Sequence, residues 1–339
     1  MFKKILAVLI VISVVGGVTA LAVNRKEPAT RVFYGLFDTS TVVSTHNKNA
    51  ADFEKLTNEI YKELQNLNEL FDAYTVASGR NNIRTINENA GKEAVKVEQD
   101  IIDLLMFGKE AYTLTDGRVN IAMGSVTRLW KDAEKAASGE NPSIPDSEAL
   151  KEAGAHTDIN KVIIDPVNST VFIEDEKMAL DVGAIAKGFV LDILPKRIVL
   201  KNVLISLGGS VTAYGKKNFF GSKWKVGITD PLSTEKITET VHLSDVSIAT
   251  SGDYERFFTI GDTDYHHIID PKTLMPSKFS SSVSIIAKNA ALCDAFSTAC
   301  FLQNPEDAVA FLNSKTETEG LIISSGRTYA SDRFKDYKG

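Results

Sequence analysis

The chain has 339 residues, 43% hydrophobic and 24% charged, which supplies ample core material and excludes a disordered, collagenous or coiled-coil protein. Its 38 basic and 44 acidic side chains leave a net charge of -6, so no basic excess is available for a phosphate backbone and nucleic acid is not an expected partner. The two cysteines, Cys293 and Cys300, make no disulfide framework. On one helix they would stand about 10.5 Å apart, beyond bridging reach, and they are read as free thiols.

Behind Lys3 and Lys4 runs an uncharged stretch, ILAVLIVISVVGGVTALAV, over residues 5–23. At helical rise it covers about 28 Å, close to the hydrocarbon core of a bilayer. Two readings compete: a cleaved secretory signal ending in the small residues Ala20 and Ala22, and an uncleaved anchor. The length favours the anchor. With the short basic start taken to stay inside, either one puts the remainder outside the cytoplasm, the anchored form being held at the cell membrane. Residues 1–23 are thus set apart, residues 24–32 with Pro28 read as a linker, and residues 33–330 hold core material for one large domain or two modest ones.

Phe53, Leu56, Ile60, Leu64, Leu67 and Phe71 recur at steps of three and four, which predicts an amphipathic helix over 52–71. A second apolar stripe predicts a helix over 97–113, and the small, polar stretch 135–145 reads as a loop. From Lys161 the period changes to two. KVIID and TVFIE predict a pair of short strands around a turn at 166–169, with further strands at 203–207, 223–229, 265–269, 281–287 and 320–324. Helical patterns return at 184–194, 290–302 and 304–312, the last with Asn304 as cap and Pro305 at the first helical position. Helices first and a mixture afterwards predict an α+β domain of mixed sheets and helices.

Unusual residues concentrate in LDVGAIAKGFVLD, residues 180–192. Asp181, two glycines and Lys187 in one turn-to-helix passage would let backbone amides approach an anion, with Lys187 as counter-charge. The plain alternative is a helix start capped by Asp181. LISLGG follows at 204–209, then ATSGDY at 249–254, a polar turn offering the Thr250 and Ser251 hydroxyls and Gly252. HHIIDP at 266–271 ends a strand, so His266 and His267 point to opposite faces and only one can serve a given pocket. A histidine near an aspartate suits a general base, and equally suits a structural role. In LCDAFSTAC, Asp294 and Thr298 stand at i and i+4 on one face of an apolar helix. A carboxylate and a hydroxyl so placed are hard oxygen ligands suited to Mg²⁺; the alternative is an Asp bonded to the start of its own helix.

Together and in order, LDVGAIAKGFVLD, LISLGG, KWKVGITDP, IATSGDY, HHIIDP and CDAFSTA resemble the ApbE family of FAD:protein FMN transferases. LFDAYTVASGRNNIRTIN and GRVNIAMGSVTRLW, upstream, extend the resemblance over roughly residues 33–325. It implies a single ApbE-type domain that takes FAD as substrate, uses Mg²⁺, and transfers FMN to a serine or threonine hydroxyl of an exported or membrane electron-transfer flavoprotein, releasing AMP. By the same resemblance, Asp294, Thr298 and the carbonyl of Ala184 would be metal ligands. Val119, Asn120, Asp181, Lys187, Thr250, Ser251, Gly252 and Ile269 would contact the flavin or nucleotide, and His267 would stand near the reacting phosphate as catalytic base. The chain departs from the family pattern at Asn120 (usually Asp), at Leu274 (usually Gly) and at Phe37-Asp38-Thr39 (usually Met-Gly-Thr). Similar sequences can instead hydrolyse FAD to FMN and AMP, and a flavin-binding protein without turnover is the third reading.

Overall fold

The computed structural model describes residues 28–46, 48–139 and 142–339. The apolar segment at 5–23 lies outside them, and among the described residues no helix is long and apolar enough to cross a membrane.

Two strands open the described chain, β1 (Ala29–Leu36) and β2 (Thr39–Thr45), so β1 takes up part of the stretch read as a linker. Their two-residue turn holds Phe37 and Asp38 at φ of 51° and 53°. That left-handed pair is what such a hairpin requires, and Asn-Gly rather than Phe-Asp is its usual signal. Asn68 braces the turn by accepting from the Phe37 N–H at 2.6 Å.

Helix α1 (Ala50–Phe71) starts where the Asn49 side chain accepts from the Asp52 N–H, and it buries the predicted stripe from Phe53 to Phe71. There follow α2 (Ile83–Glu88), β3 (Val95–Lys96), α3 (Gln99–Leu114), α4 (Gly124–Ala136), α5 (Ser147–Gly154) and the hairpin β4 (Val162–Asp165) with β5 (Thr170–Ile173). The second half carries α6 (Ala186–Arg197), β6 (Val203–Leu207), β7 (Ser210–Tyr214), β8 (Trp224–Asp230), β9 (Ser233–Leu243) and β10 (Val246–Gly252). It closes with β11 (Phe257–Ile260), β12 (Thr263–His266), β13 (Ser282–Ala287), α7 (Ala290–Phe301), α8 (Pro305–Asn313), β14 (Glu319–Ser324) and β15 (Arg327–Ala330).

The α+β class expected from sequence is what forms. Eight strands in the order β1-β2-β6-β7-β10-β13-β14-β15 make one sheet, each neighbour antiparallel. Alternating residues feed two cores. Val203, Ile205, Leu207, Val283 and Ile285 face the helical side, while Ala213, Ile248, Ile286 and Leu321 face the β8–β9 hairpin and Phe334. Cys293 and Cys300 are both buried free thiols.

Three expectations need correction. The sequence at 249–254 is not a free turn: through Gly252 it is strand β10, because Thr250 and Ser284 pair across β10 and β13 and join hydroxyls at 2.7 Å. The strand predicted at 265–269 is β12, shifted back to start at Thr263 by its hairpin with β11. Asp181 caps no helix, since α6 begins five residues later behind Ile185.

Candidate functional site

One end of the large sheet gathers the conspicuous motifs. The β6–β7 turn at Gly208 and Gly209, the end of β10, the start of α6 and the middle of α7 meet there. Gly188 sets the spacing. A Cβ built on it would lie 2.8 Å from the Ala291 Cα and 2.5 Å from the Ala290 carbonyl carbon, so only glycine lets α6 approach the first turn of α7 this closely. Asp192, one turn further along α6, accepts the Ala290 and Ala291 N–H groups at 3.0 and 2.9 Å and thereby caps α7 from outside. Burial pushes its carboxyl up to about 6 despite those two bonds.

The close approach aims the Gly188 N–H at Asp294. That bond is 2.7 Å to Oδ2, and the Ser210 hydroxyl donates to Oδ1 at 2.5 Å. Asp294 is therefore bonded to the start of a helix, but of α6 rather than its own. It is 5% exposed, and burial raises its pKa; Lys187 and the two hydrogen bonds oppose the rise without cancelling it. Beside it the hydroxyls form a chain: Ser251 lies 2.9 Å from Ser297 and 3.4 Å from Thr298, and Ser297 donates to the Asp294 carbonyl at 3.0 Å. Ala184 precedes α6 in the same passage.

This donor set suits a small hard cation. Asp294 has no cationic side chain within ion-pair distance among the described residues, and a buried carboxylate bonded only to neutral donors, with Lys187 acting from further off, is incompletely compensated. Among the described residues no cluster of three or more His, Cys, Asp or Glu is arranged for a metal. Hydroxyl, carbonyl and phosphate oxygens would complete the coordination, as Mg²⁺ prefers.

His266 and His267 divide as a strand requires. His266 is buried: its Nε2–H donates to the Ser277 carbonyl at 2.6 Å, its Nδ1 accepts from Ile268, and its ring stands edge-on to Phe301. His267 is exposed and donates Nδ1–H to the Arg256 carbonyl at 3.1 Å; a carbonyl can only accept, so Nε2 carries the lone pair. Burial, then the Arg256 charge, push this imidazole down to about 3. Glu255, solvent-reachable yet crowded, is raised by burial, while Lys187 acts electrostatically on His267, Glu255 and Asp294 alike. The three groups thus share the field of one ammonium, and the space around Lys187 is the candidate cleft.

A second knot surrounds Asp181. Tyr74 and Thr127 donate to Oδ2 at 2.6 and 2.9 Å, and the Gly183 N–H to Oδ1 at 2.9 Å. Burial raises this carboxyl, but the Lys131 charge and the three donors outweigh it and the net shift is downward. Lys131 sits 3.4 Å over the Tyr74 ring, its own pKa lowered by burial. Arg256 and Asp38 act electrostatically on Lys131, which ties the knot to the His267 side and to the β1–β2 turn.

The remaining sequence candidates spread around this centre. Val119 is buried in the core, and the Asn120 side chain is committed at both ends, to the Thr157 carbonyl and the Ala122 N–H. Ile269 packs against the small cluster of Met123, Val126, Trp130 and Leu150, as Phe258, Tyr265 and Leu274 also do. Leu274, at φ 61°, takes the left-handed geometry that glycine favours and accepts the Trp130 indole N–H at 2.9 Å. Sequence reasoning did not single out Tyr74, Thr127, Lys131, Ser210, Asp192, Glu255 or Arg256. Ser210 stands next to LISLGG and Thr127 inside GSVTRLW, so neighbourhood to a quoted motif was their available signal.

Comparison with known proteins shows the family. The sequence model described as the ApbE family matches residues 37–322. An FAD:protein FMN transferase of Treponema pallidum is 33% identical over 81% of this chain and 78% of its own length. Another, of Klebsiella pneumoniae, is 26% identical over 81% of this chain and 84% of its own. The crystal structure of the ApbE protein of Thermotoga maritima superposes with a TM-score of 0.79 at 29% identity, covering 92% of this chain and 99% of that one. The flavin transferase ApbE of Vibrio cholerae shares the fold, with a TM-score of 0.75 at 23% identity over 91% of this chain and 99% of its own. The chain belongs to the ApbE family.

Proposed function

We propose that this chain is an FAD:protein FMN transferase that moves FMN from FAD to a serine or threonine hydroxyl of an acceptor flavoprotein and releases AMP. The observation that carries the reading is Asp294: a buried carboxylate, fixed by the Gly188 N–H and the Ser210 hydroxyl, beside the Ser251 and Thr298 hydroxyls. Asp294, Thr298 and the Ala184 carbonyl would hold Mg²⁺, which when bound stabilises negative charge on the pyrophosphate. Lys187 adds positive charge from the same side, and the N-terminal amides of α6 favour an anion there.

His267 presents a neutral Nε2 to the cleft, its tautomer fixed by Arg256. It takes the proton of the acceptor hydroxyl as that oxygen forms a bond to the flavin-side phosphorus. The bond from that phosphorus to the bridging oxygen breaks, and AMP departs with the electron pair. Lys131 and Tyr74 hold Asp181 ionised at the second knot, where Asp181 would accept a hydrogen bond from the flavin or nucleotide.

The apolar run at 5–23 serves in this proposal as a membrane anchor, with the domain working outside the cytoplasm on exported or membrane electron-transfer proteins. The test is to incubate the purified full chain with FAD, Mg²⁺ and a panel of domains bearing accessible FMN-accepting Ser/Thr motifs. Covalent flavin fluorescence on a denaturing gel, abolished by a chelator, is expected. No adduct on any acceptor, with FAD consumed, would replace the transferase by a pyrophosphatase.

A further inference from the structure

Opposite the cleft, the sheet ends in a feature that the transfer chemistry does not use. The loop from β7 to β8 reads GKKNFFGSKWK, with four lysines and no acid in a chain of net charge -6. It is a built turn: the Lys217 N–H donates to the Ser222 carbonyl at 2.7 Å, the Gly221 N–H to the Asn218 carbonyl at 3.1 Å, and the Ser222 N–H to the Asn218 side chain at 3.2 Å. Gly221 closes it at φ 84°. At the apex stand Phe219 and Phe220, 94% and 92% exposed, their rings edge-to-face at 6.3 Å. Lys216, Lys223 and Lys225 are exposed around them, and Val199 and Lys201 are exposed on the adjoining chain, tied in where the Asn202 side chain donates to the Lys216 carbonyl at 2.5 Å.

Register fixes where this turn lies. Ala29 pairs with Thr45, Thr45 with Val203 and Val203 with Tyr214, so the start of β1 and the root of the turn share one row of the sheet. Three strand spacings separate them, about 14 Å. The apolar sequence at 5–23 joins the chain a few residues before Ala29. The cleft lies at the other end of the same strands, in the row of Thr41, Leu207, Ser210 and Ala249, roughly 13 Å away along β7.

We propose that the Phe219–Phe220 turn is a second membrane contact, inserting its two rings into the interfacial layer of an anionic bilayer while the surrounding lysines meet lipid phosphates, so that the cleft faces away from the membrane. The occupant follows from charge and size. Two rings offer roughly 300–500 Å², well below what a specific protein interface buries, whereas aromatic tips flanked by lysine suit the headgroup boundary. The net charge of -6 opposes attraction to an anionic surface at a distance, so the four lysines of this turn act on lipid phosphates only at short range, within about a Debye length. This inference goes beyond the transfer reaction; it rests on the reading of residues 5–23 as a membrane anchor, and its test does not depend on transfer activity.

The test uses the full chain carrying Phe219→Trp, or Phe220→Trp as a second reporter, reconstituted into vesicles. The native Trp130 and Trp224 are 4% exposed and give a constant background. In phosphatidylglycerol vesicles containing brominated lipid, the added emission should shift to the blue and be quenched. It should be quenched much less in phosphatidylcholine, and Lys216→Glu with Lys223→Glu should abolish the difference. Added emission that stays at the water-exposed wavelength and unquenched in both vesicles would overturn the proposal, as would equal quenching in both. A concentration-dependent blue shift in detergent without lipid would assign the turn to a contact between copies and equally overturn it.

Discussion

Gly188→Ala tests the packing on which the site rests. The added methyl would overlap the Ala290 carbonyl and stand 2.8 Å from the Ala291 Cα, so the helices must part by roughly 1 Å to regain ordinary contact. Overpacking of this kind costs about 1–3 kcal/mol. The 2.7 Å bond from the Gly188 N–H to Asp294 is stretched out of range at the same time, costing about 1.5–3 kcal/mol more for a bond to a carboxylate. Better helix propensity returns about 1 kcal/mol, leaving a net loss of about 1.5–5 kcal/mol. At about 2–4 °C per kcal/mol for a large domain, thermal unfolding should move down by roughly 3–20 °C. Metal-dependent turnover should fall together with it, because the same displacement moves Asp294. Differential scanning calorimetry and an FMN-transfer assay on one preparation read both quantities. An alanine variant that melts and turns over as the parent would refute the close approach of α6 to α7 and the orientation of Asp294 derived from it.

Asp294→Asn keeps an acceptor for the Gly188 N–H and removes a buried charge, so the fold should melt within a few degrees of the parent. Loss of the charged ligand should reduce Mg²⁺-dependent turnover by about 10²–10³-fold, measured by AMP release; unchanged Mg²⁺ dependence would overturn the metal assignment. Asp192→Ala should cost about 1–2 kcal/mol by leaving the Ala290 and Ala291 N–H groups without an acceptor, although Asn289 still caps α7, and Asp192→Asn markedly less, as read by denaturant unfolding. The folded pKa of Asp192, about 6, lies above the unfolded value near 3.9, so the folded state holds more protons between them and this group lowers stability as pH rises through that window. The parent's stability relative to the Asn variant should therefore decline from pH 4 to 6, and a rise would contradict the burial cause. Because His267 is held neutral, its pKa depressed from 6.5, kcat should show no acidic limb near pH 6.5, and His267→Ala should lower kcat by about 10²–10⁴-fold with FAD affinity little changed. A limb at 6.5 that vanishes on substitution would show an imidazole in ordinary solvent.

The periodic parts of this fold were legible and its long-range closures were not. Helix α1 announces itself through six apolar positions at helical spacing, and α8 through the Asn304-Pro305 start. The β1–β2 hairpin is silent in sequence because Phe37 and Asp38 accept left-handed geometry without glycine. Residues 249–252 look like a turn because their hydroxyls face one another across β10, β13 and α7, a pattern that exists only once those elements meet. The same holds at the site. Asp294 and Thr298 could be paired from a helical repeat, but the Gly188 amide lies 106 positions away from Asp294, and Tyr74 lies 107 from Asp181. Local spacing names candidate ligands; only the folded chain shows what satisfies them.

The most direct measurement of the central claim counts AMP and protein-bound FMN side by side, with the full chain, FAD, Mg²⁺ and one competent acceptor. The account predicts one covalent FMN for every AMP released, and both products reduced about 10²–10³-fold when Asp294 is replaced by asparagine. AMP accumulating without protein-bound flavin, or FAD retained with neither product, would contradict it.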